Sequence, residues 1–151
     1  MSGPIDRPRG VSRTALALFL ATLALAVTAP ATSAAPTTER VSVRSNEAQG
    51  NGRSSPPGAI SADGRFVPFS SEATNLVPND TNGWPDVFVR DRTLGTTKRV
   101  SVGAAGQADG GSDAPAISAD GRFVAFGSRA TDLVPNDTNG TSDIFVRGPL
   151  R

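Results

Sequence analysis

Short runs of apolar residues alternate with turn residues along the chain beyond residue 34. The run Phe123–Phe126 follows Asp120-Gly121, and Asp-Gly between two apolar runs predicts a tight hairpin, because glycine accepts a positive φ. A second hairpin is predicted around Gly95, between the segments DVFVRDR and TKRVSV. β-branched and aromatic residues dominate these runs, and no helical period is found. The pattern predicts an all-β fold of four-stranded antiparallel meanders, with both faces of the inner strands covered.

The chain contains two copies of one unit, as shown by three pairs of similar segments that share an offset of 57 residues. The pairs are Ile60–Phe69 with Ile117–Phe126, Leu76–Gly83 with Leu133–Gly140, and Asp86–Arg90 with Asp143–Arg147. ERVSV at Glu39–Val43 and KRVSV at Lys98–Val102 differ by 59, so loops of the second copy are two residues shorter. We therefore predict a closing strand at residues 35–43, a first unit at 44–102, and a second unit at 103–151 that lacks a fourth strand of its own.

Two segments carry a resemblance to a known family. SPPGAISADGRFVPFSS and SDAPAISADGRFVAFGS, each followed by DVFVRD or DIFVR, resemble the TolB-type, WD-like β-propeller repeat. The resemblance implies a bacterial, exported protein whose units are propeller blades, forming either a partial propeller or an oligomeric ring. It implies no particular activity, since such repeats serve in protein docking, peptidase gating and sugar binding alike. Pro68 replaces Ala125 within an inner strand, and a bulge or strain is predicted there because proline cannot donate a ladder hydrogen bond.

The N-terminal segment has the pattern of a secretory signal peptide. Three arginines precede the apolar run Ala15–Val27, and the small-residue stretch TAPATSAAP follows it. We predict a signal peptide at residues 1–34 with cleavage after Ala31 or Ala34, and hence a secreted, extracytoplasmic protein with no membrane span after cleavage. The alternative is an N-terminal membrane anchor, although thirteen residues fall short of the roughly 20 that cross a bilayer.

Composition narrows the possible functions. The chain has neither cysteine nor histidine, which excludes disulfides, a lipoprotein anchor, and Ser-His-Asp or Cys-His catalysis. Beyond Ala34 it carries 12 basic and 13 acidic residues, so a nucleic acid is not expected as the partner. The carboxylates recur at equivalent places in both units, which favours a role in the fold over a single catalytic site. We expect no enzymatic activity.

The long loops NDTNGWPD and NDTNGTSD hold the candidate metal ligands. Their D-x-N-G-x-x-D pattern resembles short calcium loops, in which carboxylate and amide oxygens surround a hard cation. The predicted Ca²⁺ ligands are Asp80, Asn82 and Asp86 in the first loop and Asp137, Asn139 and Asp143 in the second. The alternative is that Asp80 and Asn82 form Asx turns with Gly83 at positive φ, because the ligand count is below the roughly 6–8 oxygens that calcium takes.

Turns alternate between the two ends of a meander, so the long loops are predicted to share one rim with the segment Gly103–Asp113. Binding residues concentrate on long loops over a rigid scaffold, which makes this rim the predicted functional face. Trp84 could contact a ligand there, or could instead fold beside Leu76 and Val77. The leading function is an exported binding or scaffold module for a protein or an extracellular glycan. The alternatives are a calcium-stabilised lectin-like protein and a truncated, non-functional remnant of a longer propeller.

A closing strand also predicts self-assembly. Thr37–Val43 of one copy could complete the unfinished unit Ala114–Arg147 of another, hiding an open sheet edge. Propellers close with roughly 4–8 blades, so a homo-trimer of a two-unit chain would give about six and a homo-tetramer about eight. The alternative is a fragment with exposed apolar faces that aggregates.

Overall fold

The computed structural model describes Gly3, residues 35–56 and residues 58–150. Apart from Gly3, the predicted signal peptide at 1–34 lies outside the described residues. The chain divides at Pro36–Thr37, and every strand of the described residues lies within Thr37–Arg151. The described residues form no helix, and accordingly none that could span a bilayer.

Nine short strands form three antiparallel sheets in the described part of the chain. The strands are β1 (Ser54–Ser55), β2 (Phe66–Ser71), β3 (Asp86–Asp91), β4 (Thr96–Arg99), β5 (Val102–Gly103), β6 (Gly106–Gln107), β7 (Ser112–Ile117), β8 (Val124–Ser128) and β9 (Asp143–Arg147). The first unit is the meander β1-β2-β3-β4, and the second is the three-stranded meander β7-β8-β9. The small hairpin β5-β6 connects them and was not predicted. The all-β, antiparallel prediction is confirmed.

Glycines in the left-handed region close the predicted turns, but six residues separate β7 from β8 and ten separate β1 from β2, so the Asp-Gly connections are longer than the tight hairpins predicted. Gly64 and Gly121 close the two Asp-Gly turns with φ of 68° and 70°, and Gly95 closes the β3-β4 turn with φ of 63°. In the first Asp-Gly turn, the Ser61 hydroxyl donates to Asp63 Oδ1 over 2.6 Å. An L side chain rarely adopts such a φ, which is why glycine stands at each of these positions.

A repeated serine contact locates one of the two length differences between the units. Ser54 Oγ donates to Ser71 Oγ over 3.0 Å, and Ser112 Oγ donates to Ser128 Oγ over 2.9 Å. Ser71 and Ser128 are 57 residues apart, whereas Ser54 and Ser112 are 58 apart. One extra residue therefore lies between β1 and the Asp-Gly turn of the first unit.

The other length difference lies in the hairpin that precedes each unit. Val43 pairs with Gln49 across five residues, whereas Val102 pairs with Gln107 across four. Both differences fall in connections between strands, where the chain tolerates insertions best.

Pro68 interrupts pairing on one side of its strand only. The register of β2 with β3 runs unbroken through Pro68↔Val89, so the bulge predicted in β2 is wrong. The pairing of β1 with β2 ends at Ser55↔Ser70, before it reaches Pro68, as expected where a residue has no N–H to donate. A register shift lies instead in the second unit, between Asp113 and Ala116.

The two units stack with their sheets face to face. A core cluster joins the first unit to the second, and its members are Phe66, Val87, Val89, Val100, Ile117, Val124 and Phe126. A second cluster of Phe69, Ala73, Leu76 and Phe88 fills the opposite face of the first sheet. Every residue of β2 and β3 is buried, which confirms two covered faces for the first unit. The second sheet differs, because Ile144 and Val146 on β9 are 78% and 67% exposed.

Candidate functional site

The loops gather at two opposite rims, as predicted. At one rim, Arg92 Nη1 donates to Gly64 O over 2.7 Å, which joins the β3-β4 turn to the Asp-Gly turn. At the other, Asn82 Nδ2 donates to Ala108 O over 2.9 Å, which joins the first long loop to the segment between the units. We call the first the hairpin rim, and the second, formed by residues 72–85, 103–111 and 129–142, the long-loop rim.

Two of the predicted metal ligands bind an arginine beneath the long-loop rim. Arg99 Nε lies 3.3 Å from Asp86 Oδ2, and Arg99 Nη2 lies 3.4 Å from Asp80 Oδ2. All three side chains are almost fully buried, at 6%, 0% and 4% exposure for Arg99, Asp86 and Asp80. Ser101 Oγ donates to Asp86 Oδ1 over 2.7 Å, and Gln107 Nε2 donates to Asp80 Oδ1 over 2.9 Å. We call these five residues the buried ion cluster.

Charge, more than hydrogen bonding, holds Arg99 in this cluster. Its Nε and Nη2 atoms are buried without a hydrogen-bond partner among the described residues, although both lie within ion-pair distance of a carboxylate. Burial raises the pKa of Asp86, while the Ser101 hydrogen bond and the Arg99 charge oppose that rise. Ser101 and Arg99 thus both favour the ionised form of Asp86.

The first long loop is built as an Asx turn at Asn82. Asn82 Oδ1 accepts a hydrogen bond from the Trp84 N–H over 3.0 Å, and Gly83 has a φ of 72°. The Asx turn predicted at Asn82 is therefore confirmed. The one predicted at Asp80 is wrong, because Asp80 binds Arg99 and Gln107. The fold brings Asp80 and Asp86 together around the guanidinium of Arg99. Asn82 Oδ1 is not directed at this group, because it accepts from the Trp84 N–H.

The second long loop repeats the turn without the arginine. Asn139 Oδ1 accepts from the Thr141 N–H over 2.9 Å, and Asn139 Nδ2 donates to Asp143 Oδ2 over 2.8 Å. Asp137 and Asp143 line an open cavity of about 540 Å³ beside β9. Among the described residues, no three acidic side chains are grouped as metal ligands. Calcium binding stays a prediction.

Trp84 lies on the long-loop rim with 56% of its surface exposed. Leu76 and Val77 pack with Phe69 and Phe88 in the second core cluster, and Trp84 is not part of that cluster. The prediction that Trp84 folds beside Leu76 and Val77 is therefore wrong. Its indole lies instead over Gly111, where an added Cβ would stand 3.8 Å from Trp84 Cε3. Trp84 thereby forms one wall of a cleft of about 600 Å³ between the two long loops.

Polar side chains complete the Trp84 cleft. Asp109, Asp113 and Arg129 line it together with Pro85, Gly110, Gly111 and Ser142. Asp109 is held in place by Thr131, whose hydroxyl and N–H each donate to it over 2.7 Å. These bonds lower the pKa of Asp109 and favour its charged form. The cleft therefore presents a flat aromatic surface beside fixed acceptors and one guanidinium.

The residues that bind Asp80 and Asp86 in the buried ion cluster were not predicted from the sequence, although the sequence contains a signal for two of them. Arg99 and Ser101 belong to KRVSV, and the same two residue types recur in ERVSV as Arg40 and Ser42. A repeated Arg-x-Ser beside a repeated Asp loop could have indicated an ion pair. Comparison with protein-family models and with curated proteins finds no match for this chain.

Proposed function

We propose that this chain is an exported, non-catalytic binding module of TolB-type propeller blades, which takes an extracellular glycan in the Trp84 cleft. The repeated sequence motif supports the blade architecture, and two antiparallel meanders stacked face to face fit it. Export rests on the signal-peptide pattern of the first 34 residues.

The observation that carries this proposal is the exposed indole of Trp84 beside fixed polar groups. A large aromatic side chain left 56% exposed on a rigid rim is a common anchor for a ligand. The face of a sugar ring is apolar enough to stack on it, and Asp109, Asp113 and Arg129 can bind the hydroxyl groups around that ring. The cleft volume of about 600 Å³ falls within the range of roughly 300–1,000 Å³ for small-ligand sites.

The contacts of the carboxylates support a binding role over a catalytic one. Asp80 and Asp86 are bound to Arg99, and Asp91 is bound to Arg65 over 2.7 Å. A glycosidase-type pair needs two carboxyl groups that flank the scissile bond, whereas these three carboxylates of the first unit are directed at arginines. These acids instead stabilise the sheet to which they belong.

Trp84 provides its own assay, because it is the only tryptophan in the chain. Titration with a panel of soluble cell-wall fragments and polysaccharides should shift its emission saturably for at least one of them. Retention on a resin of that glycan should be lost in W84A and kept in L94A, which removes an apolar side chain of 66% exposure from the hairpin rim. Retention that calcium restores after chelation would support the lectin-like alternative.

Two outcomes would contradict the proposed function. One is a panel that leaves the emission unchanged, which would favour a protein partner or a remnant without a ligand. The other is retention of W84A equal to that of the unaltered chain, which would place the binding surface away from Trp84.

A further inference from the structure

The N-terminal segment repeats the fourth strand of the first unit almost letter for letter. Thr37–Val43 reads TTERVSV and Thr96–Val102 reads TTKRVSV, which are identical at six of seven positions. Thr96–Arg99 is strand β4, paired with β3 in the register Phe88↔Arg99 and Val89↔Lys98. Its counterpart Thr37–Arg40 is exposed and belongs to no strand. A sequence suited to an edge strand thus lies outside any sheet.

The second unit lacks a partner at the equivalent edge. Within the described residues, β9 pairs with β8 alone, so its outer backbone groups face no strand. Ile144 and Val146 of β9 correspond to Val87 and Val89 of β3, which are 0% and 5% exposed. An open edge with exposed apolar side chains is a template for another strand.

The carboxylates beside β9 also lack the partners of the first unit. Asp137 and Asp143 correspond to Asp80 and Asp86 of the buried ion cluster. The donors around the first pair are Arg99, Ser101 and Gln107, and their counterparts are Arg40, Ser42 and Gln49. In the second unit, Asn139 Nδ2 donates to Asp143 Oδ2. The equivalent atom in the first unit, Asp86 Oδ2, contacts Arg99 instead. The chain therefore holds both halves of a second ion cluster, in separate places.

The connections indicate where the N-terminal segment belongs. In each unit an arginine of the third strand donates to a backbone oxygen of the hairpin that precedes the unit, Arg90 to Arg44 O over 3.1 Å and Arg147 to Val102 O over 3.5 Å. The strand leading into the hairpin of the second unit, β4, pairs with the unit before it. By the same connectivity, Thr37–Arg40 belongs to a unit before the first, which a single copy does not contain in its described residues.

We propose that Thr37–Gln49 of one copy completes the second unit of another copy, with Thr37–Arg40 pairing antiparallel to β9 and Arg40 bridging Asp137 and Asp143. Copied from β3-β4, the register places Arg40 opposite Phe145 and Glu39 opposite Val146. Ser42 and Gln49 then donate to the carboxylates as Ser101 and Gln107 do in the first unit.

This contact joins two different surfaces, so it is heterologous and generates a ring when the rotation closes. The charges are complementary, because two acids of one copy receive one arginine of the next. Moving the segment costs little stability. It breaks the Glu39–Arg92 ion pair, whose side chains are 42% and 40% exposed, and exposed ion pairs contribute little to stability.

Light scattering of the purified chain tests the proposal through two surface variants. We expect the unaltered chain to have three or four times the mass of one copy, and R40E and D143R each to have the mass of one copy. R53E, which reverses an exposed charge outside residues 37–49 and outside the second unit, should assemble like the unaltered chain. Far-UV circular dichroism separates a dissociated chain from an unfolded one, and D143N replaces D143R if the latter loses its β signal.

A mixture of the two variants makes the test specific. In a mixed ring, the glutamate of R40E pairs with the arginine of D143R at one contact, and the unaltered Arg40 and Asp143 pair at the next. The two variants must therefore alternate, so the mixture should reassemble into rings with an even number of copies only. An unaltered chain with the mass of one copy would overturn the proposal, as would R40E that assembles fully. Folded variants that dissociate alone and stay apart when mixed would overturn the Arg40–Asp143 contact.

Discussion

Replacing Arg99 by methionine removes the only cation from the buried ion cluster. The methionine keeps the apolar stem but leaves Asp80 and Asp86 buried with hydrogen bonds from Ser101 and Gln107 alone. An uncompensated buried charge is costly because the interior solvates it poorly. We expect R99M to be the most destabilising single change in the first unit that leaves its apolar core intact.

The magnitude follows from the burial of the three side chains. With Arg99 at 6% exposure and Asp86 at 0%, the loss falls in the range measured for broken buried pairs, about 3–5 kcal/mol. Domains are typically stable by about 5–15 kcal/mol, so R99M should unfold near half the denaturant concentration of the unaltered chain. The cost should shrink in acid, where protonation of Asp86, whose pKa is raised by burial, removes its buried charge.

Urea unfolding followed by circular dichroism measures this cost, at one fixed protein concentration because assembly adds to apparent stability. K98M is the matched control, since Lys98 is exposed on the same strand and should change stability by less than about 0.5 kcal/mol. A double-mutant cycle with D86N isolates the pair, and a coupling of about 0.5–3 kcal/mol is expected. An R99M midpoint equal to that of K98M would refute the assignment of Arg99 as the charge partner of these acids.

Two further predictions concern local contacts. G121A should cost more than G64A by roughly 1–3 kcal/mol, because both glycines have positive φ but only at Gly121 would a Cβ stand 2.6 Å from Phe66; equal thermal midpoints would contradict this. The Arg65 hydrogen bond is the first cause that lowers the pKa of Asp91, so the native state binds this proton less readily than the unfolded state. The resulting stability is present above the ordinary pKa of about 3.9 and is lost as pH falls below it. The urea midpoints of R65M and the unaltered chain should therefore converge in acid, and a constant difference down to about pH 2 would speak against the Arg65–Asp91 interaction.

The features predicted correctly from sequence depend on neighbouring residues. Asp-Gly between apolar runs was sufficient to predict turns at Gly64 and Gly121, because such a turn needs only a residue that accepts positive φ. The nearly identical repeats were sufficient to predict two units of similar architecture. Successive apolar residues in β2 indicated two covered faces, which the first unit has.

The features that were missed depend on contacts between distant parts of the chain. The pattern D-x-N-G-x-x-D suggested a metal loop, but Arg99 and Gln107 reach Asp80 from later segments that no spacing rule connects to it. Strand β1 ends at Ser55, before the apolar segment that precedes the Asp-Gly turn, whereas β7 continues through the equivalent segment to Ile117. Ala116 pairs there with Ala125, and the residue that stands in place of Ala125 in the first unit is Pro68. Pro68 leaves the β2-β3 register unbroken, since only the pairing toward β1 stops short of it.

The central claim, that residues 37–49 of one copy complete the second unit of another, is tested most directly by cross-linking. The chain contains no cysteine, so E39C and V146C together place the only two thiols at positions that pair if the register Val89↔Lys98 is copied between copies. Facing residues of neighbouring strands have Cβ atoms about 4.5–5.5 Å apart, near enough for a disulfide with slight adjustment. Mild oxidation should give a ladder of covalent multimers in a non-reducing gel, and E39C with I144C, two residues out of register, should give far less. Monomers alone, or equal ladders from both pairs, would contradict the claim.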